Sequence, residues 1–201
     1  LTLCRTIMSV APSNTRFVVD GGDILSFARL AINPSAPRHF FDPGPYGGLG
    51  MGIPFANAIA GVAHNDPVIC ITGDGAVGFN VMELETAVRQ HLPITVVVSN
   101  NAAWGIERNA QIMDYGPDRT VATELSDCRF DELARSVGAA GERVTRLKEL
   151  KPAIHRALAS GRTTVVDVVT DVSARSPDLT RGLAGVPDDA PLQWAAKRGA
   201  T

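Results

Sequence analysis

Four near-continuous apolar runs, rich in β-branched residues, alternate with segments of helical periodicity along this chain of 201 residues. The runs are residues 16–20, 67–72, 94–99 and 163–170. Strands that are apolar along their whole length are buried on both faces, as in a parallel sheet covered by helices on each side. The alternation therefore predicts an α/β fold of three layers, with a doubly wound, mostly parallel sheet of about six strands.

Weaker patterns complete this predicted fold. Two further strand candidates are residues 38–41 and 141–145. The helical candidates are residues 24–32, 52–63, 80–91, 130–137 and 148–160. In the last of these, Leu150, Ile154 and Leu158 are spaced by four residues and therefore share one face of the helix.

The C-terminal part of the chain has a different character from the rest. Residues 1–171 form the predicted domain, whereas residues 172–201 are rich in proline and turn-forming residues. We expect residues 175–195 to form a lid that excludes water from the site, and a plain disordered tail is the alternative.

Composition limits the classes of partner and compartment. The formal net charge of -2 provides no general attraction for nucleic acid or for an anionic membrane surface. No apolar run is long enough to cross a bilayer. The three cysteines are odd in number and lack the spacing of a metal site, which favours a reducing, cytoplasmic compartment.

Polar residues follow two of the apolar runs, where each strand is predicted to end. Asp74 lies between Gly73 and Gly75 after one run, and Asn101 follows the next run. Ligands of parallel α/β sheets lie beyond the carboxyl ends of the strands, and consecutive strands are often neighbours. Carboxylate, amide and carbonyl oxygens suit Mg²⁺, which completes its coordination with phosphate oxygens and water. The pattern predicts a site for Mg²⁺ and a diphosphate group, with further donors from the following helix.

Each half of this pattern also has an ordinary interpretation. GDG alone is usually a turn, and NN alone is usually a loop. The segment GLGMG at residues 48–52 is similar to a nucleotide-binding loop, but it does not complete G-x-G-x-x-G and no predicted strand precedes it. A dinucleotide-dependent oxidoreductase is therefore a weaker alternative.

Residues 73–101, GDGAVGFNVMELETAVRQHLPITVVVSNN, resemble the thiamine-diphosphate signature, which opens with GDG and closes with NN. Residues 20–29, 44–61 and 100–109 resemble, in the same order, the diphosphate-binding domain of acetolactate synthase-like enzymes. Within that group the chain is most similar to bacterial 2-hydroxyacyl-CoA lyases and their unassigned relatives. The resemblance extends over residues 1 to about 185.

The resemblance implies thiamine diphosphate and Mg²⁺ as cofactors and gives roles to particular residues. Asp74, Asn101 and the carbonyl of Ala103 would be the metal ligands. The implied contacts to thiamine diphosphate come from Gly22, Asp23, Leu49, Met51, Gly73, Gly75, Ala76, Asn101 and Ala103. Gly75 and Ala76 would donate backbone N–H groups to the diphosphate.

The resemblance also implies contacts to the rings of the cofactor and an acid/base group. The Leu49 carbonyl would hold the 4′-amino group, and Met51 would be an apolar wedge between the rings, although ordinary core packing is the alternative for Met51. Glu107, close to Trp104 and Ile106, would transfer protons during the second part of the reaction. The alternative for Glu107 is a solvated helix residue.

Enzymes of this group need a glutamate from a separate pyrimidine-binding domain, and no segment here resembles that domain. We therefore expect this chain to be half of an active site, completed by a pyrimidine-binding domain or subunit in a homo- or hetero-oligomer. The expected function is that of a C–C lyase or carboligase acting on a 2-hydroxyacyl-CoA or a 2-oxoacid. Acetolactate synthase-like activity and decarboxylation of a 2-oxoacid or of oxalyl-CoA are alternatives, as is a non-catalytic, cofactor-binding regulatory subunit.

Overall fold

A six-stranded parallel sheet forms the centre of the protein. The computed structural model describes residues 1–63 and 66–176. Its strands are β1 (Arg16–Asp20), β2 (Phe40–Phe41), β3 (Val68–Gly73), β4 (Ile94–Asn100), β5 (Ala140–Val144) and β6 (Thr164–Val169). Their lateral order is β2-β1-β3-β4-β6-β5, and every neighbouring pair is parallel. The predicted fold class is confirmed.

Eight α-helices and two short 3₁₀ helices connect the strands in the described part of the chain. The α-helices are α1 (Thr2–Val10), α2 (Asp23–Ala31), α3 (Gly52–Val62), α4 (Asp74–Asn80), α5 (Glu83–Arg89), α6 (Gly105–Tyr115), α7 (Phe130–Ser136) and α8 (Leu147–Ala159). The 3₁₀ helices are Gly44–Tyr46 and Pro117–Arg119. Among these described helices, none is both long and apolar enough to span a membrane.

The helices cover both faces of the sheet and form two separate apolar cores. Helices α1, α2 and α8 pack on one face, against side chains that include Ile69 and Ile71 of β3. Helices α3, α4, α5 and α7 pack on the other face, against side chains that include Val68 and Cys70 of the same strand. Because successive side chains of β3 enter opposite cores, the whole strand is apolar.

The order of the strands places a crevice between β1 and β3. From these two neighbours the chain proceeds towards opposite edges of the sheet. Helix α2, which follows β1, packs on one face, and α4, which follows β3, packs on the other. At such a reversal of strand order the carboxyl ends of the strands leave an open crevice, which is where ligands of this fold class bind.

The structure differs from the predicted elements in three places. The expected helix over 80–91 is α5, which begins only at Glu83, and the separate helix α4 before it was not predicted; Leu84 and Glu85 donate to carbonyls three residues earlier, which interrupts the α-helical pattern between the two. Helices α1 and α6 were not among the predicted elements. Residues 177–201, which include most of the expected lid, lie outside the described residues.

The two-core packing makes a prediction about α8, which carries a buried residue and an exposed one of similar size. Ile154 is fully buried against the sheet, whereas the Leu147 side chain is 68% exposed. Ile154→Ala should lower the free energy of unfolding by about 2–5 kcal/mol, because it leaves a cavity in a closely packed core. Leu147→Ala in the same helix should change it by less than about 0.5 kcal/mol. Urea denaturation measures both, and equal effects would contradict this packing.

Candidate active site at the carboxyl edge of the sheet

Asp74 is the first residue after β3 and its carboxylate is buried in the crevice. The residue is 7% exposed. One carboxylate oxygen accepts the Gly75 N–H at 2.9 Å, and the other accepts the Ala103 N–H at 3.2 Å. Burial raises the pKa of the Asp74 carboxyl, and these N–H donors partly offset the increase. No basic side chain of the described residues pairs with Asp74, so a bound cation would supply missing charge compensation.

Asn101, after β4, places its amide oxygen next to this carboxylate. The Ala103 N–H, which donates to Asp74, also lies 3.2 Å from Oδ1 of Asn101. One N–H is thus shared by a carboxylate oxygen and an amide oxygen from neighbouring strands. The structure therefore brings together the two side chains that the sequence suggested as metal ligands.

The backbone at Ala103 is held by a short antiparallel contact with the loop before α7. Ala103 forms an isolated bridge with Glu124, flanked by hydrogen bonds from Trp104 N–H to the Thr123 carbonyl and from Leu125 N–H to the Ala102 carbonyl, both 2.8 Å. In this type of pair the central residue turns its own N–H and C=O away from the partner strand. Both backbone groups of Ala103 are therefore directed towards the Asp74 side.

The first asparagine of the NN pair has a structural role. Asn100 is 2% exposed, and its amide nitrogen donates to Asp167 at 3.0 Å and to the Cys128 carbonyl at 2.9 Å. Asp167, in β6, also forms a buried ion pair with Arg143 at 2.9 Å. This network ties the start of the 101–103 loop to β6. The sequence reasoning missed it, although a charged residue inside the apolar run VVDVV was a signal.

Glycines in the turns after β1 and β3 allow Trp104 and the start of α6 to pack tightly over them. A Cβ atom at Gly75 would lie 2.4 Å from the Trp104 ring, and one at Gly22 would lie 2.5 Å from the Ile106 side chain. At Gly73 the nearest atom would be 3.7 Å away. Residues larger than glycine at 22 and 75 would therefore displace the N-terminal part of α6 and the loop before it.

These elements enclose a cavity of about 530 Å³. Ten of the eleven residues that the sequence suggested for the site line it, namely Gly22, Asp23, Leu49, Gly73, Asp74, Gly75, Ala76, Asn101, Ala103 and Glu107. The eleventh, Met51, is half-buried at the N-cap of α3 and packs against the core on that face of the sheet. The cavity volume is in the range of small-molecule and cofactor sites.

Two acidic residues of the cavity differ in their surroundings. The Asp23 carboxylate accepts the N–H of buried Ser176 at 3.2 Å, so its side chain is engaged by the segment that follows β6. The other oxygen of this carboxylate is buried without a hydrogen-bond partner among the described residues. Glu107, the third residue of α6, is exposed at the cavity and is not enclosed by Trp104 and Ile106.

A cavity at the switch point of a parallel sheet, with carboxylate and amide oxygens in its lining, is typical of a cofactor-binding α/β domain. Residues 20–168 match the family described as "Thiamine pyrophosphate enzyme, C-terminal TPP binding domain". This match covers most of the chain, and the chain belongs to that family. Thiamine pyrophosphate is another name for thiamine diphosphate.

The chain is similar to proteins that are much longer than it is. The chain is 40% identical over 161 residues to the acetolactate synthase large subunit IlvG of Mycobacterium tuberculosis, covering 80% of this chain and 29% of that protein. It is 31% identical over 188 residues to 2-hydroxyacyl-CoA lyase 2 of Caenorhabditis elegans, covering 92% of this chain and 29% of that lyase. The chain therefore spans less than a third of the length of these relatives.

A solved structure shows the same fold. The thiamine diphosphate-dependent 4-hydroxybenzoylformate decarboxylase of Rhodococcus jostii RHA1 aligns with a TM-score of 0.78 at 24% sequence identity. The alignment covers 84% of this chain and 32% of that enzyme. At this identity the comparison establishes the fold of the domain.

Helix α4 offers a matched test of the packing around the site, because it contains two glycines in different surroundings. Gly75→Ala should lower the free energy of unfolding by about 1–3 kcal/mol and change the near-ultraviolet signal of Trp104, since the new methyl group meets the ring. At exposed Gly78 no atom lies within 4 Å of a new Cβ. Gly78→Ala should therefore raise stability by roughly 0.5–1 kcal/mol through its helix preference. Identical denaturation curves for the two variants would refute the close contact at Gly75.

Proposed function

We propose that this chain is the Mg²⁺- and diphosphate-binding part of a thiamine diphosphate-dependent C–C lyase or carboligase, similar to 2-hydroxyacyl-CoA lyase. The observation that carries the proposal is the shared Ala103 N–H, which brings the oxygens of Asp74 and Asn101 to one place. A similarity to C. elegans 2-hydroxyacyl-CoA lyase 2 along 92% of the chain supports the choice of reaction.

A second candidate is an acetolactate synthase-like activity on 2-oxoacids. It is favoured by the higher identity, 40%, to the M. tuberculosis acetolactate synthase large subunit. The same cofactor site serves either reaction, because thiamine diphosphate provides the chemistry and the surrounding protein selects the substrate. A non-catalytic, cofactor-binding subunit would retain the cofactor site and lack turnover.

The donor set of the crevice fits Mg²⁺. Asp74, Asn101 and the Ala103 carbonyl would provide one charged and two neutral oxygen ligands, and Mg²⁺ usually binds few protein ligands together with phosphate oxygens. A divalent cation would also stabilise the buried, ionised form of Asp74, which burial alone disfavours. Among the described residues, no cluster of three or more His, Cys, Asp or Glu side chains forms a competing metal site.

The remaining contacts would orient thiamine diphosphate across the crevice. The turns at Gly22–Asp23 and Gly73–Ala76 line the cavity from β1 and β3, so backbone N–H groups such as that of Ala76 would bind the diphosphate from two sides. The Gly75 N–H, the other donor suggested for it, is bonded to Asp74 in this structure. On the outer side, Leu49 would direct its carbonyl to the 4′-amino group. Met51 would support the rings from its half-buried place at the start of α3.

When bound, thiamine diphosphate supplies a nucleophilic carbon that adds to a substrate carbonyl group. The protein would contribute position, exclusion of water and proton transfer. Glu107 is exposed at the cavity and is the residue that we propose to hold and transfer a proton there. Trp104 and Ile106, on either side of Gly105, would exclude water from the inner part of the cavity.

An exposed apolar surface next to the cavity supports the need for a pyrimidine-binding partner. Its members are large side chains between 37% and 96% exposed, namely Tyr46, Leu49, Phe55, Phe79 and Met82. Gly50 lies against Phe79, which connects the Leu49 loop to α4 within this surface. Several large apolar side chains exposed on the elements around a cavity favour an interaction surface. We propose that a pyrimidine-binding domain, in an oligomer, covers it and supplies the activating glutamate.

We also propose a cytoplasmic location. The three cysteines are free, as expected in a reducing compartment. Two of them, Cys4 and Cys70, are fully buried, and burial raises the pKa of the Cys4 thiol to about 11, which protects it from oxidation.

The metal assignment is tested by removing its ligands one at a time. Asp74→Ala should abolish Mg²⁺-dependent binding of thiamine diphosphate, because it removes the only charged protein ligand of the proposed set. Asn101→Ala should weaken binding by roughly 10–100-fold through loss of one neutral ligand. Titration calorimetry with and without Mg²⁺ measures both, and Asp118→Ala on an exposed 3₁₀ helix is the control. Unchanged affinity in the Asp74 variant would refute the assignment.

The half-site proposal is tested by separating the chain from other domains. Purified residues 1–201 should show no turnover with 2-hydroxyacyl-CoA, pyruvate or oxalyl-CoA, because the activating glutamate is supplied elsewhere. Adding the pyrimidine-binding domain, identified by purifying the native complex, should restore turnover of one of these substrates. Full turnover by residues 1–201 alone would contradict the proposal.

A further inference from the structure

Asp20, the last residue of β1, holds the loop that carries Leu49 and Met51. It is 1% exposed, and a single oxygen of its carboxylate accepts two backbone N–H groups, from Gly50 at 2.9 Å and Gly52 at 2.8 Å. The two donors lie on either side of Met51. The carboxylate therefore fixes the backbone on both sides of Met51, shortly after cavity-lining Leu49.

The same loop is held from the opposite side by α4. The Asn80 side-chain amide donates to the Gly50 carbonyl at 2.9 Å. Gly50 has φ of +92°, and a Cβ atom there would lie 2.6 Å from Cβ of Phe79. A residue other than glycine would be strained at this position. Hydrogen bonds at both its N–H and its C=O thus determine the orientation of Gly50.

The geometry of the peptide bond converts this anchoring into a direction for the Leu49 carbonyl. The Leu49 C=O and the Gly50 N–H belong to one peptide group, and the described chain contains no cis peptide bonds. In a trans peptide these two groups point in opposite directions. Because the Gly50 N–H points to buried Asp20, the Leu49 carbonyl points away from Asp20, and Leu49 itself lines the cavity.

Backbone N–H donors compensate the buried charge of Asp20 only in part. No basic side chain of the described residues forms an ion pair with it, and its second carboxylate oxygen is buried there without a hydrogen-bond partner. A buried carboxylate in this state is costly to the fold. A hydrogen bond to an anion also polarises the peptide group that donates it, which makes the attached carbonyl a stronger acceptor.

We propose that Asp20 is a positioning residue that aims the Leu49 carbonyl at the amino group of the aminopyrimidine ring and strengthens it as an acceptor. This inference rests on the proposed function, since it requires thiamine diphosphate in the cavity. It assigns a role to a buried carboxylate that touches neither the metal nor the diphosphate in the arrangement proposed above.

A cycle of protein and ligand changes tests this role in the assembled protein with its partner domain. The three ligands, each with Mg²⁺, are thiamine diphosphate, its analogue without the 4′-amino group, and inorganic diphosphate. Their affinities are measured by titration calorimetry. Asp20→Ala should weaken the binding of thiamine diphosphate by roughly tenfold, because the Leu49 carbonyl is no longer held or polarised. It should change the affinity of the analogue and of diphosphate by less than about twofold, since neither uses the Leu49 carbonyl.

Two further variants separate positioning from loss of folding. Asp20→Asn can keep both N–H bonds through its amide oxygen, so it should recover most of the affinity for thiamine diphosphate. Asn80→Ala, at an exposed site, removes only the hydrogen bond to the Gly50 carbonyl. It should weaken the binding of thiamine diphosphate but not that of the other two ligands, and by less than Asp20→Ala does. If Asp20→Ala does not fold, selective weakening in Asn80→Ala supports the proposal, and its absence refutes it.

The possible failures are distinguishable. Equal weakening of all three ligands by Asp20→Ala, or no weakening at all, would overturn the role of Asp20 and leave the proposed function intact. If the unaltered protein bound none of the three ligands with Mg²⁺, the proposed function itself would fail.

Discussion

The hydrogen bond from the Ala103 N–H to the Asp74 carboxylate joins the ends of two neighbouring strands, and the geometry of the site depends on it. The same N–H also reaches the amide oxygen of Asn101. Asp74 and Asn101 are far apart in sequence, yet the parallel pairing of β3 and β4 brings their backbones to the same edge of the sheet. The rigid strands set the distance, and the shared N–H sets the orientation.

Three buried carboxylates lie at or near this edge and have different tasks. Asp74 would bind the metal, Asp20 holds the loop with Leu49, and Asp167 holds Asn100 at the start of the 101–103 loop. Burial raises the pKa of all three carboxyl groups, because the ionised form of each is less stable in the protein interior than in water. The fold tolerates this cost where backbone donors and one arginine, Arg143, compensate it in part.

The sequence predicted the sheet well because its strands are buried on both faces. Such strands are continuously apolar, and this pattern is visible without knowledge of their partners. Helix α6 had no comparable signal, since Asn109 is the only buried residue of its eleven. Helix α1 does bury Leu3, Cys4 and Ile7, but its pattern is short and precedes the first strand. The break between α4 and α5 depends on local hydrogen bonding that side-chain periodicity does not report.

The site was predictable to the extent that it depends on strand ends. Asp74 and Asn101 were identified from their place after two apolar runs, whereas the supporting contacts involve partners that no local pattern connects. Asn100 and Asp167 are 67 residues apart in sequence, and Asp20 and Gly50 are 30 apart. Only the folded chain shows that Asn100 bonds to Asp167 and that Asp20 bonds to the loop with Leu49.

The metal position is the central claim, and crystals grown with Mn²⁺ and thiamine diphosphate test it most directly. Mn²⁺ replaces Mg²⁺ at oxygen-ligand sites and gives a strong anomalous signal. We expect one anomalous peak within about 2.0–2.3 Å of Asp74, the Asn101 amide oxygen and the Ala103 carbonyl. A diphosphate bound in the cavity with the metal bonded to other residues, or with no metal there, would contradict the account.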